Sequence, residues 1–224
     1  MRVLAIETAT EACSIALFDS ADGAQDELLA HRHDVIGRGH AEHLIPMIAE
    51  LPGKGRAERI LVSLGPGSFT GVRIGIAAAR ALGVAWQAQV MGYPTLALVA
   101  AMARVEKSGA LTVCMNGGHG EWFVQDFGPA GVPEGEMASL APEAASARSN
   151  HPIVAGSKAK ELTTISKVNY FAPIDILPDA RNALLVPDTL LTEAISPIYG
   201  RAPDAKPQAK PRTKTLKNKE HLAK

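Results

Sequence analysis

The chain has 224 residues, 46% of them hydrophobic, so it can bury a substantial core as one large domain or two small ones on a prior of about 100–200 residues per domain. Its two cysteines, Cys13 and Cys114, lie far apart in apolar strand-like runs, which excludes a disulfide framework or a cysteine metal site and predicts buried thiols in a reducing, cytoplasmic setting. The zero net charge is uneven: from Arg201 onward eight Lys and Arg face only Asp204 and Glu220, so this tail is +6 and the preceding body −6.

Residues 3–7 read as a strand, 8–11 as a polar turn and 13–19 as an alternating strand, together a hairpin. Met1-Arg2-Val3-Leu4-Ala5-Ile6 lacks the long apolar core of a signal peptide, and no run reaches membrane-spanning length, so no membrane contact is expected. His31, His33, His40 and His43 cluster in sequence, and His40 and His43 share a helix face at i, i+3. No suitably spaced carboxylate completes a metal site, and the His-Glu-x-x-His pattern is missing. The predicted helix 40–51 carries Leu44, Met47, Ile48 and Leu51 as an apolar stripe, with Pro46 inside it.

Residues 59–64 predict a buried strand that runs into Gly65-Pro66-Gly67-Ser68-Phe69-Thr70-Gly71. Gly65 and Gly67 permit positive φ, Pro66 fixes a φ between them, and Ser68 is a good N-cap for the helix that follows. Strand, glycine turn and helix suggest a phosphate cradle. The loop is no Walker A, since no Lys-Ser/Thr pair follows, and Thr70 breaks the dinucleotide fingerprint. Ser68 does not stand in Gly-x-Ser-x-Gly, so no nucleophile is singled out and no catalytic residue is assigned. Along the helix, Gly71, Gly75, Ala79 and Gly83 recur every fourth residue on one stripe. Three helical glycines cost roughly 1 kcal/mol each relative to alanine, a cost that makes sense where another backbone comes close. Two readings stand: packing inside the chain, or a subunit interface.

After a break at Gly92-Tyr93-Pro94, residues 95–106 predict a helix. Residues 111–115, a turn at 116–120 and residues 121–127 repeat the first hairpin, and 153–158 with a short helix at 159–163 repeat the strand-turn-helix. Hairpin, helix and strand-turn-helix in duplicate imply two α/β lobes, 1–98 and 99–200, followed by a basic tail at 201–224 with the composition of a disordered segment. Paired lobes of this type close on ATP with one phosphate loop from each hairpin. Thr8 and Thr10 offer hydroxyls, and Gly117 and Gly118 let backbone approach a phosphate. Glu7 stands where a shorter carboxylate would hold a metal ion, the second loop has no carboxylate before Glu121, and neither loop has a Lys or Arg. Nucleotide loops and purely structural turns both remain open.

Three stretches carry a resemblance: Ile6-Glu7-Thr8-Ala9-Thr10, His40-Ala41-Glu42-His43-Leu44-Ile45-Pro46, and Gly65 to Gly75 in Gly-Pro-Gly-Ser-Phe-Thr-Gly-Val-Arg-Ile-Gly. With the ending Pro197-Ile198-Tyr199-Gly200-Arg201-Ala202-Pro203, they resemble the TsaB family. The resemblance is strongest over residues 1–100. It implies a two-lobed actin/hexokinase/Hsp70-like (ASKHA) α/β fold of duplicated mixed-sheet lobes. It also implies a non-catalytic role beside the paralogue TsaD, with TsaE joining them. TsaD transfers a threonylcarbamoyl group from its adenylate to the tRNA adenosine beside the anticodon. The i, i+3 spacing of His40 and His43 matches the lack of TsaD's i, i+4 metal pair, so no metal or cofactor is expected on this chain, and ATP and a metal ion are expected on its partners. The implied partner face comprises His40, His43, Leu44, Met47, Gly71, Arg73, Gly75, Ala79 and Gly83, and a homodimer is a further expectation when TsaD is absent. Transfer RNA would be met indirectly or through the basic tail. Glu7, the turn Asn116-Gly117-Gly118-His119-Gly120-Glu121, Gly156-Ser157 and Pro187 depart from the family pattern. An ASKHA-type ATPase or small-molecule kinase, and a metalloprotease, are the alternatives.

Overall fold

A computed structural model describes residues 1–20, 26–166 and 173–200. The basic tail, and with it the disorder expected there, lies outside the described residues. The first hairpin forms as β1 (Arg2–Glu7) and β2 (Ala12–Asp19), paired antiparallel with Ala5 opposite Ala16. β3 (Glu27–Val35) adds to the outer edge of β2. α1 (His40–Glu50) then leads to β4 (Arg59–Ser63), which lies parallel to β1, and α2 (Phe69–Trp86) leads to β5 (Gln89–Tyr93), parallel to β4. The resulting order is β3-β2-β1-β4-β5.

α3 (Thr95–Glu106) carries the chain into a second sheet. There β6 (Leu111–Gly118) and β7 (Glu121–Phe127) form the second hairpin, β8 (Ala138–Leu140) flanks β7, and α4 (Pro142–Arg148) precedes β9 (Ile153–Ala155), parallel to β6, and α5 (Ala159–Ile165). Its order, β8-β7-β6-β9, repeats β3-β2-β1-β4 with the same strand directions. The duplication read from the sequence is therefore a duplication of topology, and the fold is the two-lobed ASKHA-type α/β arrangement.

Side-chain alternation divides the core into layers. Val3 and Ala5 of β1, Leu61 of β4, and Leu111, Val113 and Met115 of β6 face one shared cluster around α3. Leu4, Ile6, Ile60 and Val62 face α1 and α2 on the far side of the first sheet, and Cys114, Trp122 and Val154 face α4 and α5 on the far side of the second. α3 is buried nearly all round, and its Ala97, Ala100, Ala101 and Ala103 let the packed elements approach closely in a chain with only 4% aromatics. Cys13 and Cys114 are buried free thiols, and burial pushes them up to about 11 and about 12.

The last described stretch returns to the first lobe. Asp179 accepts from the Ser14 hydroxyl at 3.2 Å and meets His31 at 3.1 Å and the Arg181 guanidinium at 3.0 Å. Thr192 bridges Gly92, Ile195 enters the cluster under α1 and α2, and the Ile198 N–H donates to the Leu64 carbonyl at 2.7 Å. This strap crosses from one lobe to the other and ends beside the glycine turn.

Candidate functional site: an interlobe cleft and a two-helix face

The β1–β2 turn, the 65–71 turn, the β6–β7 turn and the end of the strap surround an open cleft of about 860 Å³. Its lining includes Thr10, Glu11, Ser68, Arg73, Asn116, Gly117, Gly118, His119, Ser157 and Tyr199. Thr10, Gly117 and Gly118 thus reach one cleft, as the nucleotide reading required. Thr8 does not: it is fully buried, and its hydroxyl donates to the Gly71 carbonyl at 2.8 Å.

The donors of this cleft are largely spent within the chain. The Ala9 N–H binds the Glu7 carboxyl at 2.6 Å, and the Ala12 N–H binds the Thr10 hydroxyl at 3.3 Å. In the second hairpin the Asn116 N–H donates to the Ser157 hydroxyl and the Gly118 N–H to the Asn116 side chain, both at 3.1 Å. Gly117 is a packing glycine, since a Cβ there would press on the Glu121 carbonyl at 2.8 Å. Glu7 is wholly enclosed, and desolvation pushes its carboxyl up to about 7 against the pull of the Ala9 and Thr8 backbone and the Ser63 hydroxyl. It is not among the residues that line the cleft. Among the described residues no group of three or more His, Cys, Asp or Glu side chains is placed to hold a metal ion.

Ser68 caps α2 as expected, its hydroxyl accepting from the Gly71 N–H at 3.2 Å. Gly65 takes φ +90°, as the turn demands. Gly67 does not take a positive φ; it is needed because a Cβ there would collide with Ala9.

The small-residue stripe is a correction to the partner-face expectation. A Cβ at Gly71 would strike the Thr8 carbonyl, one at Gly75 the Thr8 hydroxyl, and one at Gly83 the Val90 side chain, while Ala79 is fully buried. The stripe lets α2 lie directly on β1, β4 and β5 of its own sheet. Leu44 and Met47 are likewise core residues, and buried His40 contacts the Ala12 carbonyl at 3.2 Å. Of the nine residues in that expectation, only His43 and Arg73 retain accessible surface.

The outward faces are different residues. On α2, Ala77, Ala81, Val84 and Ala85 point away from the stripe, with Val84 84% exposed. On α1, which packs beside α2, the exposed residues include Ala41, Ile45, Pro46 and Ala49, with Ile45 48% exposed. The sequence signal was present, since these positions fall on the opposite sides of the same two helices, but the small-residue and apolar stripes were assigned to the partner face instead of the core.

A family model described as "TsaD: tRNA N6-adenosine threonylcarbamoyltransferase" matches residues 34–149. The chain is 40% identical over 118 residues to the tRNA threonylcarbamoyladenosine biosynthesis protein TsaB of Escherichia coli, half of this chain and 48% of that protein. The corresponding TsaB of Haemophilus influenzae is 34% identical over 87 residues, 37% of this chain and 34% of that protein. The matched stretch therefore spans half or less of these curated relatives. Among solved structures, a Pseudomonas aeruginosa protein described by its similarity to peptidase YEAZ superposes with TM-score 0.74 at 26% identity, covering 89% of this chain and 99% of that one. YeaZ from the same organism superposes with TM-score 0.72 at 25% identity, covering 88% and 99%. From the duplicated topology, the glycine turn and these matches, the chain belongs to the TsaB family.

Proposed function

We propose that this chain is a non-catalytic subunit that pairs with a TsaD-type transferase, joined by TsaE, in threonylcarbamoyl transfer to the tRNA adenosine beside the anticodon. The observation that carries the reading is the unpartnered apolar face of α1 and α2, with Val84 and Ile45 exposed beside a row of alanines. Small side chains on two adjacent helices suit a close helix–helix interface, and a TsaD-type paralogue would offer the matching helices. In this reading ATP and any metal ion belong to the partners, because the polar groups of this chain's own hairpin turns are engaged internally. The same face could pair two copies of the chain when TsaD is absent.

Sedimentation of the chain with TsaD from the same organism tests this. Val84→Asp and Ile45→Asp place a charge in the contact and should each cost about 2 kcal/mol or more, roughly 30-fold in affinity. Undiminished binding by both folded variants would overturn the reading. The ATPase or kinase alternative predicts turnover by the isolated chain. The metalloprotease alternative needs a metal cradle, whereas His40 is committed to Ala12 and His43 points to solvent.

A further inference from the structure

At the mouth of the cleft, Phe69 and Tyr199 stand 66% and 51% exposed, the first from the start of α2 and the second from the end of the strap. Their rings lie 6.0 Å apart, tilted by 32°. The Arg73 guanidinium sits 3.2 Å over the Phe69 ring centre and 5.2 Å from that of Tyr199. It is held by the Phe69 carbonyl at 3.0 Å and the Tyr199 hydroxyl at 2.6 Å. Those bonds use two of its five N–H groups, and no carboxylate among the described residues pairs with it. Exposed aromatic faces around an unneutralised guanidinium suit a ligand that is both planar and anionic.

We propose that Phe69, Arg73 and Tyr199 form a stacking platform for an unpaired nucleotide of single-stranded RNA. A base stacks on an outward ring face, since the gap between the rings is already filled by Arg73, and the spare guanidinium N–H groups meet a phosphate of the same strand. The sequence after Gly200 supplies the long-range attraction, with eight Lys and Arg against two acidic residues. The platform itself consists only of the three side chains. The proposal deepens the tRNA reading above and rests on it.

The test is fluorescence anisotropy of the full chain with a labelled 12-nucleotide single-stranded RNA and with the same sequence as a duplex, across a salt series. The expected result is tighter binding of the single strand. Phe69→Ala with Tyr199→Ala should weaken it about tenfold or more while leaving duplex binding unchanged, and Tyr199→Trp should retain it. Both aromatics are largely exposed, so an unchanged melting temperature should accompany the loss. Equal binding of strand and duplex, or equal loss on both for the double variant, would overturn the platform and leave the tail as a general polycation. Sedimentation of the same double variant with TsaD separates the two readings: an intact complex without strand preference sinks the platform alone, whereas failure of the wild-type complex sinks the subunit reading.

Discussion

Replacing Glu7 by Gln should stabilise this protein at neutral and alkaline pH and leave it unchanged in acid. Glu7 is wholly buried at the end of β1, with one oxygen accepting from the Ala9 N–H. Burial raises the carboxyl from 4.5 to about 7. Between those values the folded chain holds a proton that the unfolded chain has released, so stability falls as pH rises through the window. At about 1.4 kcal/mol per pH unit, the ionised carboxylate costs roughly 3 kcal/mol once pH exceeds 7. Gln keeps the Ala9 bond and carries no charge. It should raise the melting temperature at pH 8 by roughly 6–12 °C, taking 2–4 °C per kcal/mol for a chain of this size. At pH 4, where the wild-type carboxyl is protonated in both states, the two proteins should melt together. Calorimetry at pH 4, 6 and 8 reads the effect directly. A wild-type pH dependence that survives in Glu7→Gln, or a variant less stable at pH 8, would refute the assignment of a desolvated carboxyl.

Gly71→Ala forces a Cβ onto the Thr8 carbonyl and should cost about 1–3 kcal/mol, read as a lower melting temperature. Asp179→Asn leaves the Arg181 guanidinium and the His31 and His33 rings without their shared carboxylate, and should lower the melting temperature by several degrees, as the strap loosens from β2 and β3. The isolated chain with Mg²⁺ and ATP should show no steady turnover in a phosphate-release assay, because the turn amides at Ala9, Asn116 and Gly118 already have acceptors. Ending the chain at Pro203 should leave its melting temperature and its TsaD complex unchanged while flattening the salt dependence of RNA binding.

Much of the architecture was legible because hydrophobic alternation and turn chemistry acted together. The hairpins at residues 2–19 and 111–127, the strand before Gly65 and the helices beginning at His40 and Thr95 all carry strong local signals. β3 was not read, since an edge strand with exposed positions and five charged or histidine side chains shows only weak periodicity. The strap was also invisible. Its backbone ties, such as Thr192 to Gly92 and Ile198 to Leu64, depend on no residue type, and the Asp179 carboxylate meets Ser14, His31 and His33 from far along the chain.

The glycine motif shows where sequence reasoning stops. Small residues every fourth position establish that something approaches α2 closely, but the spacing is the same whether the neighbour is another subunit or the chain's own sheet. Thr8 decides it here, with its carbonyl against Gly71 and its hydroxyl against Gly75. That contact also explains how one motif can serve a surface it does not touch. Because the glycines let α2 lie flat on β1, the opposite face of the helix stands at a fixed height beside α1, and Phe69 and Arg73 are carried to the rim of the cleft. If this face binds the proposed partner, a bulky residue in the stripe should weaken that binding by displacing the helix, with a loss of stability in proportion. On the proposed subunit reading, a charge at Val84 should weaken binding by roughly 30-fold with no loss of stability, and the ratio of the two effects separates a supporting residue from a contacting one.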